Sequence, residues 1–378
     1  MRKKYTYNDA YVESTIVMDG CKAIEAHLIA HVSNPLLNYR HQLEAIEEAL
    51  SYITKGEMAN FSPVFIRYFV SDAANQTELI NNSKLNCARS VVEQPPLNGT
   101  KVAVWCYLMA GVTTTALENG LFAVDQGQYR HLGGGSAHNF AKNSEEQTLL
   151  LFEEYEKQLA DEGCTLADNC LRTWFFVNDV DLNYGGVVSA RNRVFASRGL
   201  TADTHFIAST GIGGRQADPN VLAQMDTYAV KGLRKEQVKY LYAPTHLNRT
   251  SEYGVSFERG TAVEYHDRRH VFISGTASID NRGQIVHEGD IVNQTDRMTE
   301  NVGVLLREAG CSYDDVTHII VYLRDIADYQ IVMTIMKRKF PYMPIVIVHA
   351  PVCRPGWLIE MECMAVKKID NSTFGSYF

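Results

Sequence analysis

A helix, a strand and an aspartate that ends the strand recur in each third of the 378-residue chain, and this repetition limits the possible folds more than any other feature. In the last third, EAGCSYDD at 308–315 leads to the β-branched run VTHIIVYL and then to Asp325. In the middle third, DEGCTLAD at 161–168 leads to TWFFVN and Asp179. In the first third an amphipathic helix leads to YFVS and Asp72, and two strand-like segments follow in every third. The sequence therefore predicts three copies of one structural unit, in which these aspartates cap turns.

The last third shows the pattern most clearly. Its apolar periodicities predict four strands and two helices. The strands are predicted at 271–279, 316–323, 345–349 and 357–366, and the helices at 295–309 and 326–339. Glu360 and Glu362 share one face of the last strand, because side chains alternate with a period of two. Two carboxylates on an otherwise apolar face require an explanation.

Dividing 378 residues by three gives 126, a normal size for a small domain. We predict a degenerate first domain at 1–115, a second at 116–245 and a C-terminal domain at 246–378. The fold class is α+β, with antiparallel strands and with helices on one face of each sheet. The other faces can pack around a common centre, so the chain should form an intrachain pseudo-trimer. We expect a monomer, and further oligomerisation stays possible.

The composition limits the class of partner. A net charge of −8 disfavours contact with the phosphate backbone of a nucleic acid. The chain has no apolar run long enough to span a bilayer and no signal-peptide core, so we expect a cytoplasmic protein that does not enter membranes. Its eight cysteines form no CxxC pair and favour buried thiols. Neither a metal nor an organic cofactor is expected.

The C-terminal third resembles the YjgF/RidA (Rid) family. The resemblance is carried by SGTAS at 274–278, GD at 289–290, QT at 294–295, EN at 300–301 and LIEME at 358–362. Rid proteins form homotrimers with clefts between subunits, so the resemblance implies that three fused copies reproduce such a trimer. Rid enamine and imine deaminases also carry an arginine early in the penultimate strand, where it binds the substrate carboxylate. Here that place falls near Ile345, which argues against deamination by the usual residues.

Residues 171–366 also resemble the chorismatases, enzymes that hydrolyse chorismate and share the Rid-like fold. The matching segments are RTWF at 172–175, DLN at 181–183, STGIG at 209–213, YGVSFER at 253–259 and the C-terminal 353–360, together with Arg191, Phe195 and Arg198. Asn192 departs from the family, which commonly has tyrosine there, and PGW at 355–357 replaces small and acidic residues. The resemblance implies cleavage of the enolpyruvyl ether of chorismate with release of pyruvate.

Cleavage of that ether begins with a proton delivered to the methylene carbon, so the acid must be protonated near neutral pH. Glu360 lies on an apolar strand face beside Glu362, and both desolvation and a like-charged neighbour raise a carboxyl pKa. Our hypothesis is that Glu360 is the general acid. The alternative is a structural ion pair with Arg354 or another cation.

The two carboxylates of chorismate require cations, and arginine binds a carboxylate through a planar two-pronged contact. The candidate substrate-binding residues are Arg191, Arg198, Arg259 and Arg354, with Arg193 a weaker candidate. Each of these arginines could equally be an ordinary surface residue.

Two glycines and a histidine complete the set of candidates. Gly211 and Gly213 belong to a turn at 210–214 whose amides could approach an anion, although a plain tight turn explains them equally well. His349 is expected to line the cleft or the core. The run HDRRH at 266–270 could suggest a metal site, but its place between two predicted strands favours a solvated hairpin turn.

The three units differ at the position of Glu360. The middle unit has Gln224 there, and the first has an apolar residue near Val104. Asn98 stands where the last unit has Arg354. We therefore expect one working cleft, between the middle and C-terminal units, with the N-terminal unit mainly structural.

Three functions remain open. The first is a chorismatase-like hydrolase of chorismate or a related cyclic carboxylate. The second is a Rid-type enamine or imine deaminase. The third is a non-catalytic protein that binds small carboxylates.

Overall fold

Three six-stranded mixed sheets with the same strand order build the molecule in a computed structural model that describes residues 1–81 and 85–375. In each sheet a three-strand antiparallel meander is followed by strands in the order sixth, fourth and fifth of that unit. The fourth and fifth strands of each unit are parallel, and a helix connects them. The predicted α+β fold with three tandem units is confirmed. The expectation of antiparallel strands is wrong for one strand pair in each unit, because the connecting helix returns the chain in the same direction.

The first unit begins the chain. Its strands are β1 (Arg2–Tyr7), β2 (Ala10–Asp19), β3 (Lys22–Val32), β4 (Phe61–Val70), β5 (Ala88–Glu93) and β6 (Val102–Ala110), and its helices are α1 (Tyr39–Lys55) and α2 (Ala73–Asn81). The buried side chains of α1 include Leu43, Ile46 and Leu50, which form the apolar face that packs on the sheet.

The second unit repeats this order. Its strands are β7 (Thr113–Ala116), β8 (Phe122–Gln126), β9 (Tyr129–His138), β10 (Cys170–Val177), β11 (Ala208–Gly213) and β12 (Ala223–Lys231), and its helices are α3 (Ser144–Asp161), α4 (Leu166–Asn169) and α5 (Val180–Ser197).

The third unit closes the chain. Its strands are β13 (Val238–Leu241), β14 (Gly260–Glu264), β15 (Arg268–Ala277), β16 (Val316–Leu323), β17 (Ile345–His349) and β18 (Ile359–Lys368), and its helices are α6 (Ile291–Glu308) and α7 (Tyr329–Lys339). Because β13 precedes residue 246, the third sheet begins before the predicted domain limit, and the limits 1–115, 116–245 and 246–378 stay a prediction.

Helix ends follow local hydrogen bonds. The predicted helix at 295–309 begins earlier, at Ile291, because the Asp290 side chain accepts a hydrogen bond of 3.1 Å from the Asn293 amide. Asp72 and Asp325 also accept hydrogen bonds from nearby backbone amides, as predicted. Asp179 does not: it precedes α5 in a left-handed conformation without a side-chain cap.

The units close into a ring around a common centre, as expected for a pseudo-trimer. An isolated β-bridge joins each pair of units: Glu93 to Arg215, Pro96 to Val348 and Ile212 to Val352. Aromatic rings from different units meet in the interior, with the Trp105 and Trp174 ring centroids 6.5 Å apart. The inner faces of the sheets are thus covered by neighbouring units, which explains why β6, β10 and β16 are buried along their whole length.

The prediction of a solvated turn at 266–270 is wrong for two of its residues. The turn itself is short, since β15 begins at Arg268. Arg268 and His270 are buried against Glu25 of the first unit, with His270 Nε2 2.9 Å from Glu25 Oε1. Burial would raise the Glu25 pKa, but His270 and Arg268 hold it below its ordinary value. The charged run is therefore part of the interface between the first and third units.

None of the helices in the described part of the chain is both long and apolar enough to cross a membrane.

Candidate active site

A cleft with an empty volume of ≈ 510 Å³ lies between the second and third units. Helix α5 and strand β11 of the second unit form one wall, and strands β15 and β18 of the third unit form the other. Its charged lining residues are Arg191, Arg259, Arg354 and Glu360. Four of the predicted site residues therefore meet in one cleft, and Gly211 lines it as well.

Glu360 lies near the start of β18, between Ala277 of β15 and Tyr322 of β16. Its side chain is 5% exposed. Burial, and then the nearby charge of Glu362, raise its pKa to about 8, while Arg259 and Arg172 act in the opposite direction. The carboxyl is therefore protonated near neutral pH, which is the property that an acid catalyst requires.

Gly275 makes room for this carboxyl. A Cβ atom at residue 275 would overlap Oε1 of Glu360 and would lie 3.0 Å from Cγ2 of Thr210. The glycine within the SGTAS segment is thus required by the close approach of Glu360 rather than by a turn.

We expect the substitution Gly275→Ala to lower the free energy of unfolding by about 1–3 kcal/mol, the usual cost of an extra methyl group in a packed interior. The added methyl group overlaps Oε1 of Glu360 and pushes that carboxyl away from its position. Urea unfolding measures the effect. Gly303→Ala on α6 is the matched control, since its nearest neighbours would lie 3.4 and 3.5 Å away. Equal stability of the two variants would contradict the close packing of Glu360 on Gly275.

Glu362, the second carboxylate on the strand face, has a different environment. Its oxygens accept hydrogen bonds of 2.8 Å from Arg172, 2.8 Å from Trp174 Nε1 and 2.5 Å from Thr210. The residue is 4% exposed. The two neighbouring glutamates thus divide into an ion-paired carboxylate in the interior and a carboxyl that faces the cleft.

Arg191 is the most unusual cation of the site. It lies on α5, is 1% exposed, and neither Nε nor Nη2 has a hydrogen-bond partner. Its guanidinium carbon lies 5.7 Å from the centre of the Phe257 ring. A buried guanidinium with unsatisfied N–H groups is costly in the free protein. A bound anion would satisfy those groups.

Two further cations flank the same cleft. Arg259 is held by the backbone oxygen of Asn248 at 3.3 Å and by its side-chain oxygen at 3.2 Å, with its guanidinium carbon 5.3 Å from the Phe257 ring centre. The guanidinium carbon of Arg354 lies 4.9 Å from the centre of the Trp357 ring. Phe257 and Trp357 therefore orient the cations, and sequence reasoning did not select either aromatic residue.

Tyr184 and Cys353 also line the cleft and were missed. A Cβ atom at Gly211 would lie 2.5 Å from Cε2 of Tyr184, so the glycine lets this ring pack against the strand. Tyr184 forms a hydrogen bond with Cys353, whose pKa burial raises to about 12. The thiol is thus neutral, and it lines the cleft rather than acting as a nucleophile. The signal was present in the sequence, because Tyr184 follows the matching segment 181–183 and Cys353 begins the segment 353–360.

Three predicted residues lie outside the cleft. Arg198, at the end of α5, is half-exposed and donates a hydrogen bond of 3.0 Å to Glu156. His349 Nε2 lies 3.2 Å from the Arg324 backbone oxygen, and the Gly213 amide donates to Pro351 at 2.9 Å. Arg198 and His349 are occupied by these partners, and Gly213 fixes the segment that leads to Arg354. These contacts do not support the roles in substrate binding that were predicted for the three residues.

The other two units have no acid at the position equivalent to Glu360. Strand register makes Gln224 the equivalent residue in the second unit and Ala103, adjacent to the predicted Val104, the equivalent in the first. The Gln224 amide donates to the Val91 backbone oxygen at 3.1 Å. Gln224 therefore joins the first and second units.

Register also corrects the comparison with the Rid arginine. Ile345 lies on β17, which does not line the cleft of Glu360. In the second unit, the residue equivalent to Ile345 is Ser209. Ser209 pairs with Thr173 on β10, just as Ile345 pairs with Ile319 on β16. The cleft therefore has serine where the deaminase arginine is expected. Within residues 1–81 and 85–375, no three His, Cys, Asp or Glu side chains are placed to share a metal ion.

The buried Glu360 carboxyl predicts that stability falls as the pH rises from about 4.5 to about 8. With a folded-state pKa of about 8, against about 4.5 when unfolded, the folded protein keeps a proton that the unfolded chain releases. The retained proton stabilises the folded protein fully below about pH 4.5, and this stabilisation is lost as the pH rises through about 8. The free energy of unfolding should therefore fall by roughly 3 kcal/mol between about pH 5 and pH 8. Urea unfolding of the wild type and of Glu360→Gln across this range measures it. Parallel stability curves would show that the carboxyl is not buried as described.

The third unit is similar in sequence to proteins of known family. Residues 260–367 match the family described as Endoribonuclease L-PSP. A RutC family protein of Pyrococcus abyssi is 38% identical over 101 residues, covering 26% of this chain and 79% of that protein. The 3-aminoacrylate deaminase RutC of Acinetobacter baylyi is 37% identical over 71 residues, covering 19% of this chain and 56% of that protein. A chorismatase crystal structure is similar with a TM-score of 0.62 at 19% identity, covers 80% of this chain and 93% of its own, and so shares the fold.

Proposed function

Because the chain belongs to the Rid (YjgF/RutC) family, whose clefts form between neighbouring units, we propose that its cleft between the second and third units is an active site. The proposed reaction is hydrolysis of the enolpyruvyl ether of chorismate, or of a closely related cyclic dicarboxylate, with release of pyruvate. The observation that carries the proposal is a neutral buried carboxyl, Glu360, in the same cleft as the unsatisfied guanidinium of Arg191.

The charges of the cleft suit a dicarboxylate. The Nε and Nη2 atoms of Arg191 have no hydrogen-bond partners in the protein, and Arg259 and Arg354 of the third unit add positive charge to the same cleft. A guanidinium binds a carboxylate through two parallel hydrogen bonds and retains its charge when buried. A substrate with two carboxylates would pair with two of these three cations without requiring Glu360 to ionise.

The reaction would begin with transfer of the Glu360 proton to the methylene carbon of the enolpyruvyl group. The ether carbon then carries the positive charge of an oxocarbenium ion, and the new Glu360 carboxylate stabilises that charge. Water adds to this carbon and returns a proton to Glu360. The resulting hemiketal collapses, the bond to the ring oxygen breaks, and the products are pyruvate and a ring hydroxyl.

The same environment permits both forms of Glu360. Burial and Glu362 favour the protonated form that starts the reaction, whereas Arg259 and Arg172 favour the carboxylate that follows. A pKa near the working pH is the best compromise for a group that must give up and regain a proton.

The test is incubation of the protein with chorismate while pyruvate is followed with lactate dehydrogenase and NADH. We expect one pyruvate for each chorismate consumed, with loss of activity above about pH 8 as Glu360 ionises. Release of pyruvate in the absence of protein is the blank. No pyruvate from chorismate or from its cyclic relatives would remove this proposal.

A deaminase is the second candidate, because the RutC relative is a 3-aminoacrylate deaminase. Ser209 at the place of the deaminase arginine argues against it, since a hydroxyl does not bind a carboxylate in the two-pronged manner of a guanidinium. An assay that follows the hydrolysis of freshly generated enamines distinguishes the two. A thermal shift with carboxylates but no turnover in either assay would support the third alternative, a non-catalytic binding protein.

A further inference from the structure

Four buried charged residues from the three units meet beneath the cleft. Arg67 of β4 lies 2.8 Å from Asp226 of β12 and 3.6 Å from Glu362 of β18. Arg172 of β10 lies 2.8 Å from Glu362. Each of the four is at most 4% exposed. The positive charges of two guanidinium groups thus balance the negative charges of two carboxylates, so the cluster does not require a charge on Glu360.

Thr210 connects the cluster to the cleft. Its hydroxyl donates to Glu362 Oε2 at 2.5 Å, and the Gly275 amide donates to the same hydroxyl at 2.9 Å. Gly275 is the residue against which the Glu360 carboxyl packs. The Glu362 carboxylate is therefore fixed in place by bonds to Thr210, Arg172 and Trp174, and it cannot turn away from its neighbour on the strand.

We propose that Glu362 is a positioning residue for the reaction: its carboxylate, bound by Arg172, Trp174 and Thr210, holds Glu360 in the acid form. The inference rests on the proposed function for its consequence in catalysis, but the electrostatic relation between the two side chains exists without substrate. Two like charges on alternate residues of one strand face cannot both be stable in a buried site, so the carboxyl without ion-pair partners keeps its proton.

The other groups around Glu360 do not substitute for Glu362. The charged and titratable side chains that surround Glu360 are Glu362 on its own strand, Tyr322 on β16, Arg172 on β10, Arg259 before β14, Cys353 and Arg354 before β18, and Arg191 and Tyr184 on α5. Tyr322 and Cys353 are neutral because burial raises the pKa of each. Glu362 is thus the one anion in this set, and the arginines act against the acid form.

The test is the substitution Glu362→Gln, which keeps the size of the side chain and one of its two acceptor oxygens but removes the negative charge. Infrared difference spectra in the carboxylic C=O region report the protonation of Glu360 directly, and subtraction of the Glu360→Gln spectrum assigns the band. In the wild type we expect a midpoint near pH 8, and in Glu362→Gln a midpoint lower by about one unit or more.

The matched control is Asp226→Asn. Strand register makes Asp226 the equivalent of Glu362 in the second unit, and the substitution removes the same charge from the same cluster. Asp226 is held by Arg67 and by the Ser136 amide rather than by Thr210, so the midpoint of Glu360 should stay within about 0.3 unit. An unchanged midpoint in Glu362→Gln, or an equal shift in both variants, would overturn the inference.

If Glu362→Gln does not fold, the double variant Glu362→Gln with Arg172→Met removes both members of the pair and leaves neither unpaired. The midpoint should still fall, because Glu362 affects the Glu360 pKa more than Arg172 does. A midpoint that stays or rises counts against the inference. Since no substrate is needed, a protein that titrates as expected but does not cleave chorismate would contradict the proposed function alone.

Discussion

Replacement of Glu360 by glutamine is expected to reduce pyruvate release by about 10²- to 10⁴-fold, the usual contribution of a positioned general acid. Glutamine has the same shape and fits the space beside Gly275, but it has no proton of suitable acidity to transfer to carbon. Binding should therefore survive. The measurement is kcat with chorismate, together with calorimetric titration of a ring dicarboxylate that lacks the enolpyruvyl group.

The control for this substitution is Glu153→Gln on α3, where an exposed glutamate pairs with Lys157 in solvent. It should leave both turnover and affinity unchanged, because exposed ion pairs contribute little. Turnover by Glu360→Gln at a rate close to that of the wild type would refute the acid role, whatever the fate of binding.

The substitution Arg191→Met should have opposite effects on binding and on stability. Loss of a buried guanidinium–carboxylate contact costs about 2–5 kcal/mol, so the affinity for a dicarboxylate should fall by roughly 30-fold or more. In the free protein, however, methionine replaces a buried cation whose Nε and Nη2 have no partners. Its unfolding free energy should rise by about 1–3 kcal/mol. Calorimetric titration and urea unfolding measure the two effects.

Arg193→Met on the same helix is the matched control, because Arg193 is exposed and does not line the cleft. It should change neither quantity. Should Arg191→Met destabilise the free protein while binding a dicarboxylate as the wild type does, Arg191 is a structural residue and the anion site must be sought elsewhere.

The periodic placing of apolar residues along the chain predicted most of the strands and helices. The period-two and period-3.6 arrangements located β16 exactly as observed at 316–323, and the apolar face of α6 was predicted with Met298, Val302 and Leu305, which are all fully buried. Helix starts were less accurate, since the start of α6 depends on the cap formed by Asp290. Glu360 was predicted because an acidic residue on an apolar strand face is visible without the fold.

Contacts between distant units could not be predicted in this way. The burial of Arg268 and His270 depends on Glu25, some 240 positions away, and sequence spacing carries no information about that distance. Arg191 and Arg198 are similar in sequence context, yet one is buried in the cleft and the other pairs with Glu156 at the surface.

The sequence by itself determined the repeated α+β unit, because helix and strand periodicities arise from side chains only a few positions apart. It also showed that one unit alone has a glutamate at the position of Glu360. The sequence also predicted that the middle unit faces that glutamate, but only the tertiary structure placed Ser209 rather than Ile345 across the cleft. The tertiary structure also separated the ion-paired Glu362 from the neutral Glu360. The reason is physical: the charge state of a buried carboxyl depends on the groups that surround it in space. The charged groups around Glu360 come from the second and third units, and those around Glu362 come from all three.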